Sequence, residues 1–284
     1  MRQKLTSIII CPGCKSPLRL EISDKSKSRV HNGGLLCKKC NIKFGIIDDI
    51  VCFKSVTLKD KNKTKLQKIR DLFLQQEYKK EWLKHFTKQE LPALKKEWDW
   101  MVNNLNLKKN KIHLDWATGT GRFLRNILKI IKGEVIVVEF DYPTCLGLRA
   151  FLKKIGKYSN VTIIYGDARI MPFSDNSIDS ISSWHGLDEP NINKAIDESK
   201  RVLKLNKVFS AAGLFYKKES ESLKIAKKWK IEFAEENMAY RYFKRVGFKN
   251  IKHKTFFEGK WLERGSFLPR FGDYYTSYAI SGRK

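Results

Sequence analysis

With 284 residues and 42% apolar content the chain can bury a sizeable core, which excludes a disordered or fibrous polypeptide. Its 57 Lys and Arg against 30 Asp and Glu leave a formal charge of +27. A field of that size attracts polyanions such as RNA, DNA or an acidic substrate, although the excess of Lys over Arg, with frequent Ile and Asn, is also what an AT-rich coding bias produces. No stretch approaches the roughly 18 apolar residues of a membrane span, and the three Ile before Cys11 are too short for a signal peptide. A cytoplasmic protein with no membrane partner is therefore expected. In a reducing cytosol disulfides are rare, so the six cysteines need another use.

Four of them form two knuckles, Cys11-Pro-Gly-Cys14 and Cys37-Lys-Lys-Cys40. A two-residue gap turns both thiolates of a knuckle toward one ion, and two knuckles complete a closed tetrahedral zinc site. With no position open to water such a zinc is structural, and it supplies folding free energy that so short a segment lacks. Cys52 and Cys145 stand outside the pattern and read as small buried hydrophobes. The order IIICPGCKSPLRL, then LLCKKCNIKFGIIDDIVCF, resembles over about residues 5 to 55 a small zinc-ribbon domain. That domain is the activator subunit of transfer-RNA and protein methyltransferases and is fused to the front of many bacterial methyltransferases. Asn41 stands where the ribbon commonly has Gly, and Asp49 where an Asp-Gly turn would have its Gly. Residues 1–55 are thus expected to be a small zinc-ribbon domain.

Residues 56–110 read as a basic helical connector or lid. Leu66, Ile69, Leu72, Phe73, Trp82, Leu83 and Phe86 recur at helical spacing and leave a Lys-rich solvated face. Tyr78, Trp82 and Trp98 are large enough to stack on a base or a flat substrate, but their spacing is better explained by packing.

From residue 111 to 284 apolar strands alternate with amphipathic helices: IHLDW, then GRFLRNILKII, EVIVVEFD, TCLGLRAFLKKI, VTIIYGDA and SIDSISSW. This alternation argues an α/β fold, a parallel sheet with helices on both faces, in which ligands bind at the carboxyl ends of the strands. The turn after IHLDW holds Gly119 and Gly121. A phosphate loop needs Lys then Ser or Thr after its second Gly, and Arg122-Phe123 follows instead. A dinucleotide turn needs a third Gly where Leu124 stands. S-adenosylmethionine, which has no phosphate, remains.

The run Asp115-Trp-Ala117-Thr-Gly119-Thr120-Gly121 resembles the first motif of class I methyltransferases, with Ala117 for the usual first Gly, a variant of the quinone-biosynthesis branch. The resemblance implies a Rossmann-like sheet of seven strands and an acidic residue closing the second strand to accept from both ribose hydroxyls: Asp141, with Glu139 as second choice. YGDARIMPFSDNSIDSI resembles the family's G-D-A-x-x-x-P-F segment, which implies that Asp167 accepts from the adenine amine and Ala168 offers its backbone amide to the ring. KAIDESKRVLKLNKVF resembles the family's next helix and turn, with Leu205-Asn206-Lys207 for Pro-Gly-Gly, and FKNIKHKTFFEG with YYTSYAISGRK reads as the closing antiparallel hairpin.

Methyl transfer from a sulfonium requires mainly alignment of the acceptor. His185 in SSWHGLDEP, just past the fourth strand, is the candidate general base; packing beside Trp184 explains a His there equally well. Asp188 and Glu189 orient it or cap the helix that follows. The absence of an Asn/Asp-Pro-Pro-Tyr turn there argues against methylation of exocyclic adenine amines or glutamine. Three readings stand: an enzyme methylating a small molecule or peptide intermediate on oxygen, carbon or nitrogen, with Trp261, Phe267 and Tyr274 walling its pocket; a ribosomal-RNA base methyltransferase using the basic surface; and a non-catalytic zinc-ribbon protein that binds RNA or activates a partner. The first is favoured because the Lys cluster lies mainly on the connector.

Overall fold

From residue 112 onward, β-branched runs are buried on both sides, as strands inside a parallel sheet require. In the computed structural model, which describes residues 1–56, 68, 71, 74, 77 and 80–284, these runs form the centre of one mixed sheet. Strands β1 (Arg19–Ser26), β2 (Arg29–Cys37), β3 (Ile42–Ile47) and β4 (Ile50–Cys52) make an antiparallel meander. Strands β5 (Ile112–Trp116), β6 (Glu134–Glu139), β7 (Val161–Tyr165), β8 (Ile178–Trp184) and β9 (Leu203–Tyr216) run parallel. The hairpin of β10 (Lys249–Lys260) and β11 (Tyr274–Arg283) joins antiparallel to β9.

The expectation of a seven-stranded sheet is corrected: among the described residues the sheet has 11 strands, in the order β1-β2-β3-β4-β7-β6-β5-β8-β9-β11-β10. Strands β5 to β11 are the expected set, and the N-terminal meander extends it. The physical reason lies at the edge: β7 would leave a row of unpaired backbone groups, and β4 satisfies it in parallel through Val51–Ile164 and Cys52–Tyr165.

Period-two alternation sorts side chains onto two faces. Ile136 and Val138 of β6 join a core with Leu114, Trp116, Ile181 and Phe209, whereas Val135 and Val137 join the opposite core with Phe123, Leu148 and Phe151. The second core is covered by α1 (Glu90–Leu105) and α3 (Tyr142–Lys154), the first by α4 (Asn193–Val202) and α6 (Met238–Val246). GRFLRNILKII, read as one helix, is regular only over α2 (Leu124–Ile127), because the amides of Ile130 and Ile131 both turn back onto the Ile127 carbonyl. A further short helix, α5 (Glu221–Lys228), precedes α6. At Leu205-Asn206-Lys207 the strand continues instead of turning: Asn206 takes φ 62° and donates its amide to Lys284 O at 3.0 Å, while Lys284 N donates to Lys207 O.

Leu5, Ile9, Val30, Leu35 and Ile46 of the N-terminal segment belong to the same core as Trp116 and Phe173. Ile10 N donates to Pro172 O at 3.0 Å and Ser174 N to Ile8 O at 2.9 Å, which lays the segment against Phe173, itself 0% exposed. Phe173→Ala is expected to cost about 3–5 kcal/mol, read as a lower urea midpoint at unchanged m value. A loss below about 1 kcal/mol would show that the two layers do not share this core.

Of the connector, Leu66, Ile69, Leu72, Phe73 and Tyr78 lie outside the described residues. Trp82 and Trp98 are packing residues: their rings are 6.1 Å apart, and Trp98 meets Trp184 edge-on at 5.3 Å. Thr87 and Glu90 cap α1 reciprocally, Thr87 N donating to Glu90 Oε2 at 2.6 Å and Glu90 N to Thr87 Oγ1 at 3.2 Å.

Candidate active site

The chain leaves β5 and reverses through Ala117 to Gly121. Ala117 (φ 52°), Gly119 (φ 54°) and Gly121 (φ 77°) are all left-handed, a conformation that costs an Ala about 1–2 kcal/mol. Ala117 is held there by its amide, which donates to Val138 O at 3.0 Å. A Cβ added to Gly119 would meet nothing within 4 Å, while one on Gly121 would sit 2.6 Å from Leu148 Cδ1. Gly119 thus faces open space and Gly121 gives α3 its close approach. Asp115 lies beneath the turn, 2% exposed; its carboxylate accepts from the Ser182 hydroxyl, its carbonyl from Thr118 Oγ1, and burial pushes its pKa up to about 7.

The end of β6 separates the two acidic candidates. Asp141 is the N-cap of α3: its Oδ2 accepts from Thr144 N at 2.8 Å and Thr144 Oγ1 at 2.6 Å. Glu139 accepts from Gly119 N at 2.9 Å through Oε2 and from Phe140 N at 2.8 Å through Oε1, so it bridges the glycine turn and the strand end. Burial raises its pKa against these amide hydrogen bonds. Asp167 accepts from Arg169 N at 2.9 Å and forms a two-pronged pair with the Arg169 guanidinium; burial opposes its charge, but Arg169 holds the carboxyl below its ordinary value.

These groups surround a cavity of about 500 Å³, lined in part by Ala117, Gly119, Glu139, Asp141, Asp167 and Ala168, a size suited to a nucleoside-sized ligand. Asp115, Thr120 and Gly121 are not among its lining residues. Phe140, Arg169 and Pro190, which the sequence reading missed, are, and so is Glu189, which it placed beside His185. Phe140 is 54% exposed although apolar, with Lys54 Nζ 3.0 Å from its ring centre; an aromatic between two acids at a strand end was the available signal.

A second cavity of about 420 Å³ lies beside the first, and Glu189 lines both. His185 lines the second cavity in a left-handed conformation (φ 63°), its ring against Trp184 at 4.5 Å. Its Nδ1 is 2.6 Å from Asp188 Oδ2, whose other oxygen accepts from Leu214 N at 2.8 Å. Burial works against charge on the imidazole, but the hydrogen bond and charge of Asp188, with Glu97, bring its pKa above the usual value. Glu97 accepts from Trp184 Nε1 at 2.8 Å, and burial lifts it to about 7. Trp261 walls this cavity as expected, together with Leu268, Pro269 and Tyr275, but Phe267 and Tyr274 do not: they are 54% and 40% exposed.

Before β1 and in the turn from β2 to β3, the ligand atoms of Cys11, Cys14, Cys37 and Cys40 all lie within 4.8 Å of one another. A tetrahedral ion with Zn–S bonds near 2.3 Å needs sulfurs about 3.8 Å apart, so the donor set and spacing fit zinc. Cys40 N donates to Cys37 Sγ at 3.4 Å. Asn41 (φ 55°) and Asp49 (φ 71°) keep the left-handed backbone that Gly would supply. Cys52 and Cys145 are buried away from the cluster, and burial pushes the Cys52 thiol up to about 12.

Residues 114–206 match the family described as a methyltransferase domain. A demethylmenaquinone methyltransferase of Staphylococcus saprophyticus is 24% identical over 187 residues, covering 56% of this chain and 79% of the relative. Its counterpart in Staphylococcus aureus is 31% identical over 107 residues, 37% of this chain and 43% of the relative, so the chain spans less than half the length of that protein. Among solved structures, the YcgJ protein of Bacillus subtilis superposes with a TM-score of 0.54 at 16% identity, over 66% of this chain and 98% of the other. A phosphoethanolamine N-methyltransferase of Haemonchus contortus, in complex with phosphomonomethylethanolamine and S-adenosylhomocysteine, gives 0.52 at 16% identity, over 66% of this chain and 53% of the other. At these identities the superpositions establish the fold.

Proposed function

From the premise that the chain carries a class I S-adenosylmethionine-dependent methyltransferase domain, we propose that residues 111–284 transfer a methyl group to a small molecule held in the second cavity. Residues 1–55 form the zinc ribbon in this reading, and 56–110 a connector over the acceptor side. The observation that carries it is the adjacency of the two cavities across Glu189: in this reading the first takes the donor and the second the acceptor. The acceptors named for two relatives, demethylmenaquinone and phosphoethanolamine, are small molecules, and an aromatic-walled cavity suits one. Nothing in the geometry favours the RNA reading.

The donor supplies an electrophilic methyl and its own thioether leaving group. Glu139, which joins the glycine turn to the strand end, would hold the ribose hydroxyls, and Asp141 uses its Oδ2 to cap α3. Asp167 and the Ala168 amide would hold the adenine beside the exposed Phe140 ring, and the open side of Gly119 would admit the methionine part. Asp115 acts from behind as a positioning group for the turn, its carbonyl accepting from Thr118 Oγ1. For an acceptor that must lose a proton, His185 takes it on Nε2, because Nδ1 is engaged by Asp188. Cys11, Cys14, Cys37 and Cys40 hold a structural zinc.

Titration calorimetry with S-adenosylhomocysteine tests the donor site. Glu139→Ala is expected to raise Kd about 10- to 100-fold, the value of charge-assisted hydrogen bonds. Asp141→Ala is expected to leave Kd unchanged and to cost about 1 kcal/mol of stability through the lost cap. The reverse pattern would return the ribose to Asp141, and no binding by the folded, zinc-loaded protein would end the reading. Isotopically labelled donor incubated with a cell extract then identifies the acceptor by its mass.

A further inference from the structure

The loop between β10 and β11 has two sides. Trp261, Leu268 and Pro269 wall the second cavity, whereas Phe267 and Phe271 are outside its lining and are each 54% exposed. Trp229, at the end of α5 and 52% exposed, packs edge-on against Phe267 at 5.2 Å, so helix and loop present one apolar surface. Ser222 ties them together: its hydroxyl accepts from Arg270 N at 2.8 Å and donates to Asp273 at 2.7 Å. A contiguous group of large apolar tips on the surface marks an interaction site.

The charges around it select the partner. Lys217 and Lys260 lie 4.2 and 5.3 Å from the Tyr274 ring centre, Arg264 lies 4.9 Å from that of Phe271, and Lys228 and Lys230 flank Trp229 on exposed positions. Among the neighbouring acids Glu258 offsets Lys217, Glu263 pairs with His85 and Asp273 accepts from Ser222, so the cations offered to a partner are Lys260, Arg264, Lys228 and Lys230. Apolar tips ringed by cations match an anionic bilayer, whose headgroups take the cations while the rings enter the acyl boundary. No described helix is long and apolar enough to cross a membrane.

We propose that this face docks on an anionic lipid surface and admits a bilayer-borne acceptor to the cavity behind the same loop. The delivery clause rests on the methyltransferase reading; the docking itself does not. It revises the expectation of no membrane partner, which considered only spanning segments.

The test is co-sedimentation of the full, zinc-loaded chain with vesicles of phosphatidylcholine, with and without phosphatidylglycerol. Binding is expected only to the anionic vesicles and weakens as salt rises. Phe267→Ser with Phe271→Ser, both exposed and outside the cavity lining, is expected to weaken it at least about ten-fold, and Lys228→Gln and Lys230→Gln about five-fold each. S-adenosylhomocysteine binding is measured on the same samples and is expected to be unchanged in all variants. No vesicle binding, or binding indifferent to phosphatidylglycerol, overturns the docking surface. So does a dimer in sedimentation velocity that Phe267→Ser dissolves, which would assign the face to a second copy. Vesicle binding without nucleoside binding by the unaltered protein removes the delivery clause alone.

Discussion

Replacing His185 by Gln is expected to lower kcat about 10²- to 10⁴-fold on an acceptor that must lose a proton, with little change in donor Kd. The pH profile carries the sharper signature. The imidazole accepts a proton only when neutral, and Asp188 with Glu97 moves its pKa up despite burial, so the unaltered enzyme should gain activity with rising pH through a midpoint above about 6.5. In Asp188→Asn burial is left largely unopposed and the midpoint should move down. His185→Gln should lack the limb altogether. If His185→Gln keeps both rate and limb, the residue is a packed imidazole beside Trp184, and the acceptor needs no base from it.

Stripping the metal should have the largest effect on stability. Structural zinc in small four-ligand sites contributes about 10–16 kcal/mol of apparent binding free energy, as much as the whole stability of a typical domain, about 5–15 kcal/mol. Chelation, or Cys37→Ser, is therefore expected to unfold the N-terminal meander and expose it to protease. The damage should reach the donor site. Residues 8–10 are hydrogen-bonded to 172–174, just beyond Asp167 and Ala168, Phe53 N donates to Tyr165 O at 3.0 Å, and Lys54 donates to Phe140 O at 3.0 Å. A fall in thermal midpoint together with a raised Kd for S-adenosylhomocysteine is the expected pair. Elemental analysis showing one zinc still bound to Cys37→Ser, or metal-free protein with an unaltered melting curve, would refute the structural role.

The order of strands and helices from residue 112 onward was legible because burial on both faces leaves a continuous apolar run, and a helix leaves a period of 3.6. The gathering of the four cysteines was legible for a stronger reason: a two-residue gap in each of two knuckles is a spacing that little besides a shared ion imposes. The glycine turn was legible as well, and even Ala117 could be aligned to a Gly, although only the backbone shows that it adopts the left-handed conformation a Gly would take. Glu139 and Asp141 were not separable in one dimension. Both are acids at the end of one strand and both line the cavity, and which of them is drawn into capping depends on where α3 begins.

What the sequence determined by itself is the local chemistry: a four-thiolate cluster, an α/β alternation and a set of acids at strand ends, each written in periodicity or short spacing. Tertiary structure alone decided that the N-terminal meander covers the edge of β7, that His185 lies 2.6 Å from Asp188 beside Glu97, and that Phe267 and Tyr274 face solvent and not a pocket. These are matters of which surfaces meet across long separations in the chain or of which way a loop turns. Their energy comes from shared burial and from satisfying edge hydrogen bonds, and no local pattern encodes a partner a hundred residues away.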